Sequence, residues 1–257
     1  MHEEIRIDSR ENERIKRTRR LALEAAERRR EGLFFAEGVK LCLDIAAVLP
    51  PCEVYYTAAS AEKEPRITAL PGARFLVSEG VAAKLAESKT PQGVFCLFPI
   101  PPAWKEDLHQ KSRILVLDGV QDPGNVGAAL RSAAAFGWDA AVLGPGCADP
   151  FSPKALRSGM SATVKLPIMQ TAELAGFLAG LSAKGCLCAA ARLEDALDMQ
   201  LLRPQGAFAL VIGSEGRGVS ERAAQACGAS VYIPIASEME SLNAAVAAGV
   251  LMFYYRA

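Results

Sequence analysis

The sequence predicts an α/β protein of two domains, and three observations support this fold class. The chain has 257 residues, a length that fits one or two domains. Short apolar runs alternate with helix-like segments, which is typical of a mainly parallel sheet covered by helices on both faces. Three prolines in "FPIPP" open a polar stretch that is typical of a linker. We therefore expect a domain over residues 1–98, a linker over 99–112 and a domain over 113–257.

The first domain is expected to be a small α/β unit. Its apolar and polar residues predict helices at about 11–30, 38–48 and 79–87, and strands at 33–36, 53–57 and 94–98.

The second domain shows a stronger alternation. "RILVLDG" at 113–119 is an apolar run that ends at an acid and a glycine, and "NVGAALRSAAAFG" at 125–137 is a helix closed by Gly137. Further strands are expected at 140–144, 186–191, 207–213 and 230–235, with helices near 153–160, near 219–226 and from Ser241 onward. Strand runs that are apolar throughout indicate a parallel sheet buried on both faces.

The charges are balanced over the chain but uneven along it. The formal net charge is zero, so the whole chain is not a polycation. Residues 10–30 nevertheless hold nine Lys or Arg and four acids, a local excess of five positive charges on one expected helix. This segment suits phosphate contacts with a nucleic acid. A solvated helix face explains it equally well.

Several classes of protein fit the composition poorly. No apolar run reaches the roughly 20 residues of a membrane span, and the charged N-terminus lacks the apolar core of a secretory signal. The seven cysteines include no CxxC pair, so we expect neither disulfides nor a zinc site, and a reducing cytoplasm is the expected location. Of the two histidines, His2 lies near the N-terminus and His109 in the linker, so we expect neither a Ser–His–Asp triad nor a histidine metal site.

The loop after the strand at 113–119 carries polar residues. In "LDGVQDPGNVG", 117–127, the run Asp-Pro-Gly-Asn consists of residues that favour a tight turn, and Asn125 is placed to cap the next helix. Arg131 is the only charge in that helix, which otherwise looks buried. A surface arginine that extends to water is one explanation and a functional role is the other.

A second loop, "IGSEGRGVS" at 212–220, is rich in glycine. Gly213, Gly216 and Gly218 allow the backbone to approach a ligand closely, and the acid Glu215 lies among them. The spacing is neither GxGxxG nor that of a phosphate-binding P-loop, so no dinucleotide or phosphate site follows. A plain connection between two elements is the alternative.

The third loop, "IPIASEMESLN" at 233–243, leads into the last helix. That helix is apolar on every side, which predicts that it is buried. We expect Ser241 to cap it and Asn243 to lie in its first turn, where the amide needs a polar partner from the chain or from a ligand. Parallel strands bring the loops at their carboxyl ends to one edge of the sheet, so these three loops predict a binding cleft.

The three loops, in this order, resemble the SpoU (TrmH) family of RNA ribose 2′-O-methyltransferases in the SPOUT superfamily. The matching stretches are "LDGVQDPGNVGAALRSAAAFG", "LVIGSEGRGVS" and "IPIASEMESLNAAVAAGVLMFYY". One departure is Ser237, where the family usually has glycine. The first hundred residues are similar to the family's substrate-binding domain, which has a fold like ribosomal protein L30e.

The resemblance implies a fold, a cofactor and a partner. The fold is a SPOUT α/β knot, with a trefoil knot in the C-terminal domain, and the assembly is a homodimer with its site near the subunit interface. The methyl donor is S-adenosyl-L-methionine. The residues that match the family's active-site positions are Asn125, Arg131, Glu215, Ser241 and Asn243. The cofactor is expected against the backbone around Gly213, Gly218, Ile233, Pro234 and Leu242.

The implied reaction is attack of a ribose 2′-oxygen on the methyl group of the cofactor. Family proposals make Arg131 the general base, but a guanidinium stays protonated at ordinary pH. Binding of phosphate and stabilisation of the developing oxyanion is the second possible role for Arg131. The first domain, residues 1–98, is expected to select the RNA.

Other functions remain open at this point. The RNA is expected to be ribosomal, with transfer RNA as the alternative. An inactive RNA-binding module is a different class, and the intact motif residues argue against it. A nucleotide-dependent dehydrogenase is another, and the absence of GxGxxG argues against it.

Overall fold

A computed structural model describes residues 5–109, 112–239 and 241–256. His2 and two positions of the expected linker, 110 and 111, lie outside these ranges. The chain forms two compact units, one of Met1–Pro101 with Asp149–Val164 and one of Pro102–Ala148 with Lys165–Ala257. The α/β class predicted from the sequence is confirmed. The division differs from the expected one because residues 149–164, which were expected in the second domain, belong to the first unit.

The strands are β1 Ile5–Ile7, β2 Leu33–Glu37, β3 Glu53–Tyr56, β4 Ala73–Val77, β5 Val94–Pro99, β6 Arg113–Asp118, β7 Ala140–Leu143, β8 Ile168–Gln170, β9 Leu187–Ala191, β10 Leu197–Asp198, β11 Phe208–Gly213 and β12 Ala229–Tyr232. The helices are α1 Glu13–Leu23, α2 Ala25–Glu31, α3 Val39–Ala46, α4 Ala58–Lys63, α5 Glu79–Leu85, α6 Pro123–Ala135, α7 Pro153–Gly159, α8 Ala162–Lys165, α9 Leu174–Ala183, α10 Glu221–Gln225 and α11 Ala244–Tyr254. A 3₁₀ helix spans Pro65–Ala69.

The sheet of the first unit has the order β1-β4-β3-β5-β2. β1, β4 and β3 are parallel, whereas β5 runs antiparallel to both β3 and β2. The helix expected over 11–30 is two helices, because Glu24 between them is extended at φ −113° and ψ 114°. The strands β1 and β4 and the helix α4 were not predicted.

Both faces of this sheet are covered. On one face, Ile15 and Leu21 of α1 pack with Tyr55 and Phe75 of the sheet. On the other face, the core includes residues of α3 and of the returning segment 149–164.

Besides its apolar packing, the segment 149–164 makes an aromatic contact and a buried ion pair within the first unit. The ring of Phe151 packs on Phe34, with centroids 5.3 Å apart. Arg28, 3% exposed, donates from Nε to Oδ2 of Asp149 at 2.7 Å and from Nη1 to the carbonyl oxygens of Leu21 and Ala22. A fragment that began at residue 113 would carry these apolar side chains without their core.

The sheet of the second unit has the order β10-β12-β9-β11-β6-β7-β8, and each neighbouring pair is parallel. In register, Gly213 pairs with Asp118, Leu117 with Leu143 and Leu143 with Gln170. The carboxyl ends of β11, β6, β7 and β8 therefore meet at one edge, as the sequence predicted for the loops after β6 and β11. The strands β8 and β10 and the helix α9 were missed.

The last helix, α11, packs on α6 and on the sheet, and its C-terminal carbonyl groups are paired. Arg113 Nε donates to the carbonyl oxygen of Tyr255 at 2.8 Å, and Trp138 Nε1 donates to that of Met252 at 3.2 Å. The prediction that α11 is buried all round is wrong for the single chain. Three apolar side chains on one side of α11 are exposed, namely Val246 (51%), Val250 (37%) and Phe253 (52%).

The expected linker is not a free connection over its described part. Trp104 N donates to the carbonyl oxygen of Ile168 at 3.0 Å, and Lys184 forms an ion pair with Glu106 at 2.9 Å. Trp104 and Leu108 pack against the core of the second unit. These contacts explain why the second unit begins at Pro102 rather than at 113.

In the described ranges no helix is long and apolar enough to cross a membrane.

We predict that Arg113→Leu destabilises the protein by about 1–3 kcal/mol, because the carbonyl oxygen of Tyr255 at the end of α11 loses its donor. Chemical denaturation measures this change. The matched control is Arg222→Leu, since Arg222 is exposed on α10, and it should stay within about 0.5 kcal/mol of the parent protein. Equal stability of the two variants would contradict the assigned role of Arg113.

Candidate active site

The loop after β6 is fixed by a helix cap, which leaves Asn125 free for another contact. The cap of α6 is Asp122, whose Oδ1 accepts from the backbone N of Asn125 at 3.0 Å, with Pro123 in the first turn. The expectation that Asn125 itself caps the helix is therefore wrong. An Asp at the cap and a Pro just inside are both common at helix starts.

The start of α11 differs from the expectation in a similar way. The cap is Asn243, not Ser241, and Asn243 Oδ1 accepts from the backbone N of Ala245 at 3.0 Å and of Val246 at 3.3 Å. Asn243 is exposed and lies before the first turn rather than inside it. Because its oxygen is occupied by the helix, only its amide nitrogen can reach across the site.

The three polar loops are joined by one chain of hydrogen bonds, which we call the amide chain: Asn243, Asn125 and Glu215. Asn243 Nδ2 donates to Asn125 Oδ1 at 3.1 Å, and Asn125 Nδ2 donates to a carboxylate oxygen of Glu215. The polar partner expected for Asn243 is thus another part of the chain. The direction of each amide follows from the helix cap at one end and the acceptor-only carboxylate at the other.

The glycine-rich loop folds back on itself and on β6. Ser214 and Gly218 exchange backbone hydrogen bonds at 2.9 and 3.2 Å, and Gly218 has a left-handed φ of 66°. A Cβ on Gly213 would lie 1.9 Å from the carbonyl carbon of Gly218, so only glycine fits there. The buried carboxylate of Asp118 accepts from Ser220 N at 2.7 Å and ties the loop to the end of β6.

A cleft of about 580 Å³ opens beside this loop, within the size range of ligand pockets. It is lined by segments 191–194, 212–215, 217–221 and 231–233, together with Ile235, Ser241, Leu242, Ala244, Ala247 and Leu251. Of the residues expected to hold the cofactor, Gly213, Gly218, Ile233 and Leu242 line the cleft, and Pro234 does not.

Arg131 does not join the amide chain. It lies six residues after Asn125 on α6, which is about 9 Å along the axis and about 120° around it. Its side chain is exposed, so the helix is not buried around it as expected. Within the part of the chain that the structure describes, the side chain of Arg131 makes no hydrogen bond or ion pair.

Sequence reasoning missed two contributors to the cleft. Asp118 was noted only as the end of an apolar strand, although a buried acid there signals a backbone donor nearby. Arg192, at the end of β9, reaches Glu194 at 2.7 Å and Glu221 at 3.3 Å, and all three line the cleft. Its partner Glu221 is 29 residues away, so no local pattern marks the pair.

No group of three or more His, Cys, Asp or Glu side chains suited to a metal ion occurs among the residues described by the structure. The cysteines that are described there are all free thiols.

Comparison with known proteins gives the same assignment along the chain. The model of the SpoU rRNA Methylase family matches residues 112–253, and that of the MRM3-like substrate binding domain matches residues 12–96. A curated relative, the 23S rRNA (guanosine(2553)-2′-O)-methyltransferase RlmP of Bacillus subtilis, is 34% identical over 71% of this chain and 72% of its own. An uncharacterized tRNA/rRNA methyltransferase of Synechocystis is 32% identical over 97% of this chain and 93% of its own.

A solved structure extends the likeness to the fold. The AdoMet-bound rRNA methyltransferase from Sinorhizobium meliloti aligns with a TM-score of 0.86 and 27% identity, over 98% of this chain and 97% of that one.

The fold and the cleft define an RNA methyltransferase that uses S-adenosylmethionine, with the SPOUT α/β-knot fold and a mainly parallel sheet. The chain belongs to the SpoU rRNA methylase family. The resemblance predicted from the three loops is thereby confirmed.

We predict that Asn243→Asp separates the two functions of Asn243. A carboxylate keeps the helix cap, so the free energy of unfolding should change by less than about 0.5 kcal/mol. The carboxylate cannot donate to Asn125, so the rate of methyl transfer should fall about tenfold or more.

The control is Asn243→Ala, which loses both functions and should also destabilise the protein by about 1 kcal/mol. Denaturation and single-turnover methylation are measured on the same preparations. Parent-like methylation by Asn243→Asp would show that the amide chain does not act in the reaction.

Proposed function

We propose that this protein transfers the methyl group of S-adenosylmethionine to a ribose 2′-hydroxyl of ribosomal RNA. The observation that carries the proposal is the amide chain, whose carboxylate end, Glu215, lines the cleft together with Ser241 and Leu242. Polar groups from three distant loops meet where the backbone of the glycine-rich loop forms one wall. Relatives that are named rRNA methyltransferases support the substrate class.

The lining of the cleft fits the cofactor. Gly213 and Gly218 present bare backbone, and Val231, Ile233 and Leu242 offer apolar surface for a purine ring. Bound S-adenosylmethionine supplies an electrophilic methyl group on its sulfonium. The lining holds three glutamates and two arginines, and Glu215, which forms no ion pair among the described residues, favours a cationic ligand.

Glu215 is the residue best placed to orient the ribose hydroxyl. One carboxylate oxygen accepts from Asn125, and the other makes no hydrogen bond within residues 5–109, 112–239 and 241–256. An oriented carboxylate oxygen accepts a hydrogen bond from a hydroxyl and aligns its oxygen for attack. Ser241, exposed at the cleft, adds a second group that can donate or accept.

Arg131 is proposed to bind an RNA phosphate and the developing oxyanion. Its guanidinium is exposed and has no partner among the described residues, so it is available to a ligand. A group that stays protonated at ordinary pH suits electrostatic stabilisation better than proton removal.

Arg131 lies away from the amide chain of its own subunit, and a homodimer would bring it against a partner subunit. The exposed apolar side of α11, Val246, Val250 and Phe253, has the size and spacing of a helix-packing surface. α11 contacts α6, where Arg131 and Ala135 are exposed one turn apart. A second copy on this surface would cover the apolar side chains and bring Arg131 against the partner subunit. This arrangement supports a site near the subunit interface.

The first unit is proposed to select the RNA, although not by the whole basic segment 10–30. Most cations of that segment are paired with carboxylates, several of them distant in sequence: Arg14 and Arg17 with Glu53, Arg19 with Glu87, and Arg28 with Asp149. Exposed cations that lack a partner within the described ranges are better candidates for phosphate contacts, namely Arg29, Lys40, Lys63 and Lys89.

We expect the protein to act in the cytoplasm.

The central prediction concerns Arg131. Arg131→Lys should lose about 10²-fold in single-turnover methylation, because a lysine cannot reproduce the planar fork toward phosphate and oxyanion. Affinity for S-adenosylmethionine, measured by calorimetry, should stay unchanged, since Arg131 does not line the cleft.

The control for Arg131→Lys is Arg222→Lys on α10, which should retain full activity. The substrates are unmodified ribosomal RNA transcripts, with total transfer RNA as the second arm. Methylation of transfer RNA alone would overturn the proposed substrate. Activity of Arg131→Lys within a few-fold of the parent protein would overturn the catalytic assignment.

A further prediction concerns the dimer. The parent protein should sediment as a dimer at micromolar concentration, and Val250→Glu should sediment as a monomer, because a charge is placed in the apolar surface. Leu201→Glu is the control, since Leu201 is also exposed (70%) but lies outside α11. A parent protein that sediments as a monomer would refute the dimer.

A further inference from the structure

A second cavity, of about 310 Å³, lies at the carboxyl ends of β7 and β8. Its lining consists of two segments, 143–147 and 170–172. It shares no lining residue with the cofactor cleft, and the methyl-transfer groups described above do not use it. We call it the β7–β8 pocket.

The wall of this pocket is fastened to the root of the loop that carries Asn125. Gly144 N donates to the carbonyl oxygen of Leu117 at 2.8 Å, and Ala148 N donates to that of Val120 at 2.9 Å. The thiol of Cys147 lies 3.2 Å from the carbonyl oxygen of Leu117. The pocket and the Asn125 loop are therefore positioned by the same backbone.

The order of strands places the pocket on the far side of Asn125 from the cofactor. The cleft covers the ends of β9, β11 and β12, the Asn125 loop follows β6, and the pocket follows β7 and β8. Neighbouring strands lie about 4.8 Å apart, so the pocket begins about 5–10 Å beyond β6. That distance is comparable to the reach from a ribose to the far edge of its own base.

The chemistry of the pocket fits an uncharged, planar ligand. None of its lining residues is charged. Gly144 and Gly146 leave the peptide backbone bare, and burial raises the pKa of the Cys147 thiol, which keeps it neutral. Gln170, exposed at the end of β8, supplies one amide with both donors and an acceptor, the groups that read the edge of a base.

We propose that the β7–β8 pocket binds the base of the nucleotide that is methylated, and that Gln170 contacts the edge of that base. The proposal rests on the proposed function, because it places the ribose of the same nucleotide beside Asn125 and Glu215. A phosphate would find no cation in the lining, and the cofactor has its own cleft. The pocket would then contribute to the choice of nucleotide, whereas the amide chain acts on any ribose.

The first test fills the pocket. Ala172 is exposed and lines it, so Ala172→Phe should raise the KM for ribosomal RNA transcripts, or lower kcat, by about tenfold or more. Affinity for S-adenosylmethionine should not change. The matched control is Ala179→Phe, an exposed position of α9 outside the pocket, which should behave like the parent protein.

The second test uses the four nucleoside 5′-monophosphates as probes in saturation-transfer NMR on the full chain. The parent protein should favour one base, Gln170→Ala should lose that preference, and Ala172→Phe should abolish base contact. This test does not require an active enzyme.

The outcomes separate the two proposals. If the parent protein methylates no RNA but Ala172→Phe still abolishes nucleotide binding, the proposed function fails and the pocket remains a base site. If Ala172→Phe methylates and binds nucleotides like Ala179→Phe, the pocket is a crevice between loops and the inference is overturned. Should Ala172→Phe fail to fold, the result with Gln170→Ala decides in the same way.

Discussion

The contact on which the site depends is the hydrogen bond from Asn243 to Asn125, which joins two residues 118 positions apart. The side-chain oxygen of Asn243 accepts from the first turn of α11, so its side-chain nitrogen donates to Asn125. Because Asn125 accepts this bond through its oxygen, its own side-chain nitrogen is directed to Glu215. The backbone at the start of one helix thereby sets the direction of a carboxylate on a distant loop. Such a chain is effective only if the three loops are held rigidly, and the parallel sheet provides that support.

The sequence predicted the second sheet well, because its strands are apolar throughout and the helices between them have clear ends. Short edge strands such as β8 and β10 carry too few residues to show any period. The separation of α1 from α2 at Glu24 was not predicted for a different reason. Both flanking segments favour helix, and only the fold requires an extended residue between them. A local count of charges also cannot predict that basic residues pair with acids far away in the sequence, such as Glu87 and Asp149.

At the site, hydrogen bonds join the three loops, but the helix-capping residues in two of them differ from the expectation. In "SLN" both Ser241 and Asn243 are good helix caps, and in "DPGN" both Asp122 and Asn125 are. Propensity alone cannot choose between them. The choice follows from tertiary contacts, since Asn125 and Asn243 must be positioned to meet each other. The exposed side of α6 was not expected, because an alanine-rich helix looks buried, whereas Arg131 and Ala135 are exposed in the single chain.

The return of residues 149–164 to the first unit makes the order of synthesis matter. When the ribosome has made the first hundred residues, one face of that sheet still lacks Phe151 and Leu156, which pack against it in the finished protein. The first unit can complete its core only after β6, α6 and β7 have emerged, so the two units are not independent folding modules. Contacts of such long sequence separation form slowly, and until then the open face is exposed to aggregation. A transfer of the first unit of this protein to another chain would therefore have to include residues 149–164.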